Sequence, residues 1–150
     1  MIHTDPCDVP LGMQDGRVTK GMVTASSMYN HYYGPWSARL QARNYGSVRG
    51  GWIAKYRNGN QWLQIDLGIG SRVKRIATQG RYDANQWVKS YTVSYSNNGV
   101  RFIPVRHGRR VKVMVQRTER SRKMLVYFLE GFLLESLVSA VTKGPRKIKL

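Results

Sequence analysis

Asn60-Gln61-Trp62-Leu63-Gln64-Ile65-Asp66-Leu67-Gly68 is the run that decides how this chain folds. Leu63, Ile65 and Leu67 alternate with Gln64 and Asp66. A period of two puts one set of side chains on a core and the other in water, so Gln61–Leu67 is expected to be a half-buried strand. Downstream, Val73–Gln79 has the character of a second strand. Val88–Ser96 is a third, with Tyr91, Val93 and Tyr95 on one face and Ser90, Thr92 and Ser94 on the other. Asn98-Gly99 accepts positive φ and predicts a hairpin leading into Val100-Arg101-Phe102. Upstream, Met22–Ser27 reads as a short extended run. It is followed by an aromatic and polar stretch, Met28–Trp36, which Gly34-Pro35 marks as loop. Arg43–Gly51 has three glycines and no period, and reads as another loop. No helical period exceeds two turns before residue 110, and no internal repeat is present. Short strands at this spacing predict an all-β sandwich or barrel.

The bulk composition agrees. A chain of 150 residues is the usual size of one domain, and such a domain buries roughly 70% of its unfolded surface. Aromatic residues make up 11% of the chain, against the expectation for a disordered one. The formal net charge is +17. Residues 1–102 contribute 13 Lys/Arg against five Asp, and residues 103–150 contribute 12 against three Glu. An excess of this size favours anionic partners such as acidic headgroups, sulfated glycans or nucleic acid, without choosing among them. Cys7 is the single cysteine, so no disulfide can form within the chain, and no nucleophile-activating pattern surrounds it. The first residues, MIHTDPCDV, lack the apolar segment of a signal peptide.

The last third has a different texture. Residues 106–123 are a basic run broken by Val111–Val115. Leu125, Phe128, Leu129, Phe132, Leu133, Leu137 and Val141 then fall on a helical stripe, weakened by Gly131. Glu130 and Glu135 argue against a membrane span, because a carboxylate at mid-bilayer costs roughly 2.5–3.5 kcal/mol. No transmembrane segment is expected.

From Pro10 to Phe102 the chain resembles the discoidin, or coagulation factor V/VIII type C, family. The resemblance rests on Pro10-Leu11-Gly12-Met13, VTASSMYNHYYGPWSARL (Val23–Leu40), NQWLQIDLG (Asn60–Gly68), VKRIATQGR (Val73–Arg81) and WVKSYTVSYSNNGVRF (Trp87–Phe102), in order and with family spacing. It implies a discoidin-type jelly-roll β-sandwich of about eight strands, with three loop spikes at one end that hold the ligand. The ligands it implies are glycans, proteins such as collagen or receptors, or anionic phospholipid. It also implies a final cysteine pairing with Cys7, and none is present. After Val115 the family pattern fails. The expected domain is therefore 7–115, lacking its usual last strands, with 116–150 an atypical basic and apolar tail. A slipped reading frame near Val115 or an alternative exon end accounts for such a break.

On this resemblance the first spike is Met28–Trp36, carrying Tyr29, Asn30, His31, Tyr32 and Tyr33. Tyrosine has an apolar body and a polar edge, which suits a sugar face or a headgroup zone. Tyr32 and Tyr33 are expected at the tip, with packing under the loop as the alternative, and Trp36 is expected to be structural. The second spike holds Arg43, Asn44, Tyr45 and Arg49. Its arginines are either planar forks for sulfate or phosphate oxygens or solvated surface groups. The third spike is Arg81–Trp87, with Arg81, Tyr82, Asp83, Asn85 and Gln86. By family position Arg81 lines a ligand trench, and pairing with Asp83 is the competing role. Asp66 is expected to anchor a turn rather than a metal. His3, His31 and His107 are scattered and no carboxylate pair is evident, so neither catalysis, a metal nor a cofactor is expected. The function expected is a non-catalytic adhesion module, extracellular or on the cell surface, whose partner is a cell-surface or matrix glycan or protein, or an anionic membrane surface. The competing expectation, driven by charge alone, is binding of nucleic acid or another polyanion, for which no motif is present.

Overall fold

The computed structural model describes residues 10–70, 73, 75–115, 125–128 and 135–141; for 69, 70, 125–128 and 135–141 it describes the backbone alone. Cys7 lies outside the described residues. The elements are β1 (Val23–Ala25), β2 (Trp62–Gly70), β3 (Arg75–Thr78), β4 (Ser90–Ser96), β5 (Ile103–Pro104), β6 (Arg106–His107), β7 (Arg110–Val111), β8 (Val113–Val115), β9 (Leu125–Phe128) and β10 (Glu135–Val141). The described helical turns are short 3₁₀ segments at Lys20–Met22, His31–Tyr33 and Pro35–Ser37. Six strands form the main sheet in the order β1-β2-β10-β4-β5, with β8 also paired to β4. Separate two-stranded sheets join β3 to β9 and β6 to β7. Every pairing is antiparallel.

The alternation in β2 does what its period requires. Leu63 and Ile65 are buried, Leu67 packs against the core, and Asp66 faces solvent. Asp66 Oδ1 accepts from Gly68 N at 2.8 Å, the turn-anchoring role its sequence suggests. In β4, Tyr91 and Val93 enter the core, but Thr92, Ser94 and Ser96 are buried as well. The polar face is thus covered rather than wet, and its small hydroxyl side chains suit a narrow interior. Ser96 Oγ accepts from Asn98 N (3.3 Å) and Gly99 N (3.0 Å), and Asn98 Oδ1 accepts from Val100 N and Arg101 N. These bonds hold 98–101 in a turn. The returning strand therefore begins at Ile103, after the expected Val100–Phe102, although Gly99 supplies the positive φ of 70°.

The apolar stripe at 125–141 does not form a helix in its described parts. β9 pairs with β3, and β10 lies between β2 and β4, bonded to both. Without β10, β2 and β4 would present facing rows of unpaired amides and carbonyls, each costly to bury. Seven residues of strand satisfy both rows, and that gain overrides a helical period already interrupted by Gly131. Because β10 is central, proline at Val138, paired to Ile65 and Tyr95, should remove a ladder bond and cost about 1–3 kcal/mol for the buried partner left unsatisfied. Urea unfolding of Val138→Pro should show a lower midpoint or no cooperative transition, and a midpoint equal to wild type would mean that β10 is dispensable.

Candidate functional site

The three loops meet through side-chain and backbone hydrogen bonds of their own rather than through the sheet. In the first, Asn30 Oδ1 accepts from Tyr32 N at 3.0 Å and starts the His31–Tyr33 turn. Gly34 follows, where a Cβ would lie 2.3 Å from the Trp36 ring, so only glycine fits. Backbone bonds tie this loop to the next segment: Arg49 N donates to Tyr32 O (2.9 Å), Ile53 N to Tyr33 O (3.2 Å), and Tyr29 N to Ile53 O (2.7 Å). The second loop turns tightly at Tyr45-Gly46-Ser47-Val48, with reciprocal bonds of 2.9 Å between Tyr45 and Val48 and a φ of 52° at Gly46. Gly50 packs so closely that a Cβ there would sit 2.5 Å from Ala42 O and 2.9 Å from Tyr82 Cβ.

Arg81 is the hub. Its Nε and one terminal nitrogen form a planar fork on the Asp83 carboxylate. That terminal nitrogen also donates to Tyr33 Oη at 2.9 Å, and the other to Gln86 Oε1 at 3.1 Å. The guanidinium lies 4.9 Å from the Tyr33 ring centre. Asp83 Oδ2 accepts from Asn44 Nδ2 at 2.8 Å, and Asn44 Oδ1 accepts from Gly50 N at 2.9 Å. One continuous network therefore joins Tyr33 of the first loop, Asn44 of the second, and Arg81, Asp83 and Gln86 of the third. The hydrogen bond from Arg81, with help from Asn44, holds the Asp83 carboxyl down at about 2, and the same bond raises the Arg81 guanidinium.

The sequence-derived residues thus separate into two groups. Tyr33, Asn44, Arg81, Asp83 and Gln86 converge on the network. Tyr33, expected at the tip, is half-buried because its hydroxyl is drawn inward to Arg81. Arg81 is engaged by Asp83, Gln86 and Tyr33 at once. Outside the network Tyr45 is 88% exposed, Tyr29 62% and Tyr32 38%. Tyr32 stacks on His31 at 3.8 Å between ring centres. Arg43 is exposed and lies 5.7 Å from the Tyr82 ring centre, while Arg49 is half-buried. Asn85 is exposed. Sequence reasoning missed the close approach at Gly50. The Gly50-Gly51 doublet was the available signal, but glycine in a loop does not say which neighbour it accommodates. It also missed Gln61, which is buried, accepts from Ser26 Oγ and Ser27 Oγ, and pins the base of the first loop.

Among the described residues, no group of three His, Cys, Asp or Glu is placed to hold a metal, and no helix is long and apolar enough to cross a membrane. A jelly-roll whose loops are locked together at one end is the architecture of a binding module. The chain belongs to the F5/8 type C domain family, whose model matches residues 22–130. It is 42% identical to bovine coagulation factor V over 106 residues, which are 67% of this chain and 5% of that protein. It is 39% identical to mouse retinoschisin over 95 residues, 60% of this chain and 41% of that protein. The chain thus spans a small part of the one relative and under half of the other. In fold it resembles discoidin II of Dictyostelium discoideum, with a TM-score of 0.63 at 19% identity, covering 81% of this chain and 48% of that one.

The network has a definite pH signature. The Asp83 pKa is lower in the folded chain than its ordinary 3.8, so its stabilisation is complete above about pH 4 and is lost as pH falls through about 2. The pair is partly open to water, and we expect about 1 kcal/mol after screening. Urea unfolding of wild type and Asp83→Asn should therefore differ at pH 6 and converge near pH 2; a gap that is constant with pH would exclude the ion pair as its source.

Proposed function

We propose that the chain is a non-catalytic, extracellular or cell-surface adhesion module that grips a glycan through the exposed tyrosines of its loops. The observation that carries this is the division of labour at the loop end. Arg81, Asp83, Asn44 and Gln86 are spent on one another and on Tyr33, whereas Tyr45, Tyr29 and the paired His31 and Tyr32 are exposed. Rings fixed on locked backbone lose little freedom on binding and offer flat apolar faces with polar edges. Such faces match the C–H face of a sugar ring better than a bilayer interior, because a phenol hydroxyl resists full burial. Asn85, Arg43 and Arg49 supply adaptable polar contacts around them. Protein ligands and phospholipid headgroups are the other partners that the family allows.

Nothing in the loop-end arrangement favours nucleic acid beyond charge. Sequence-tolerant strand binding needs stacked aromatics along a basic groove, whereas here Arg81 is neutralised by Asp83. The change of texture at Val115 is proposed to mark a change of coding origin, through frame slip or an alternative exon end. Tail peptides in the mature protein together with an uninterrupted transcript would remove that idea.

The spike assignment is tested by Tyr29→Ala and Tyr45→Ala, alone and combined, on a glycan array and on phosphatidylserine vesicles. Both side chains are exposed, so stability should change by no more than about 0.5 kcal/mol. Glycan binding should fall about tenfold or more in the double variant, as expected for loss of two stacked rings. Retention of wild-type binding by the double variant would sink the assignment, and selective loss of vesicle binding would move the ligand to lipid.

A further inference from the structure

We propose a second binding site, for a sulfated sugar segment, in a groove along the outer edge of β1. It goes beyond the loop-tip reading and does not rest on it. The groove measures about 860 Å³, within the range of ligand sites, ~300–1,000 Å³. Lys20, Thr24, Trp36, Lys55 and Tyr56 line it, and no residue of the second or third loop does.

Its electrostatics are unusual. Lys20 Nζ lies 4.2 Å from the Trp36 ring centre, and Lys55 Nζ lies 5.5 Å from that of Tyr56. Each ammonium is positioned by a ring face rather than by a carboxylate, so it is located without being neutralised. The ion pairs among the described residues are Arg17–Asp15 and Arg81–Asp83, and no Asp or Glu lines the groove. Two cations positioned over ring faces, in a groove that no described Asp or Glu lines, select an anion. Tyr56, 53% exposed, adds an aromatic surface beside the two cations.

The floor favours a sugar over an acidic peptide. β1 pairs with β2 alone among the described strands, and Thr24, Ser26 and Ser27 are hydroxyl-bearing residues of the groove lining. Sugar hydroxyls can use such groups singly. An acidic peptide would bind there by strand addition, but β1 spans three residues and offers too short a register.

The test is calorimetric titration of a heparin-derived tetrasaccharide and its desulfated, N-acetylated counterpart. The sulfated form should bind at least about tenfold more tightly, and more weakly as salt rises. Lys20→Gln/Lys55→Gln should lose about tenfold or more, as expected for two charge-assisted contacts, whereas Lys20→Arg/Lys55→Arg should keep most of the affinity. Val100→Ala, an exposed change outside both the groove and the loop platform, should leave this binding unchanged. The proposal is overturned if the two tetrasaccharides bind equally, if the glutamine variant binds like wild type, or if affinity is lost only in Arg109→Gln/Arg110→Gln of the β6–β7 hairpin. Tighter binding of phosphatidylserine vesicles or a polyglutamate peptide at the same lysines would overturn it equally.

Discussion

The forked contact between Arg81 and Asp83 is the constraint on which the functional end of this molecule depends. A sheet fixes where loops begin and end, but not how their tips sit relative to one another. Here one guanidinium touches the first loop through Tyr33, and its carboxylate partner touches the second through Asn44. Asn44 in turn fixes the backbone at Gly50, where no side chain would fit. Each bond is modest by itself, about 1 kcal/mol. Their joint effect is geometric, since three segments distant in sequence become one platform. A ligand meeting that platform has less disorder to remove, and this matters more for affinity than any one contact.

The sheet beneath is closed in a way that the chain's last third does not advertise. β2 and β4 are not paired with each other; β10 lies between them and bonds to both. A strand from beyond residue 130, where the match to the family model ends, thus occupies the centre of the main sheet. Helical spacing of Leu, Phe and Val is also compatible with a strand when both of its edges are wanted by neighbours. Backbone demand from the rest of the fold decided the outcome.

Much of this was legible beforehand, for identifiable reasons. The alternation at 63–67 and 91–95 placed Leu63, Ile65, Tyr91 and Val93 in the core because a two-residue period has one geometric meaning. The loops were visible as aromatic or glycine-rich breaks between those strands. The fate of individual loop residues was not, because it turns on contacts across 39 positions from Asn44 to Asp83 and 48 from Tyr33 to Arg81. Tyr33 and Tyr32 are neighbours of identical chemistry, yet one hydroxyl faces Arg81 and the other ring lies on His31. Sequence spacing carries no information about that choice. The lysine-bearing groove was equally hidden, since Lys20, Trp36 and Lys55 come from separate segments and form no motif.

Amide hydrogen exchange of wild type and Arg81→Ala tests the central claim most directly. The amides to follow are Arg49 and Ile53, bonded to the first loop, Gly50, bonded to Asn44, and Arg81 itself, bonded to Gln86. If one hub holds all three loops, removing the guanidinium should speed exchange at every one of these amides together while Leu63 and Val93 in the sheet stay protected. Faster exchange confined to 81–86, with Arg49, Gly50 and Ile53 unchanged, would show that the loops are held independently and would contradict the account.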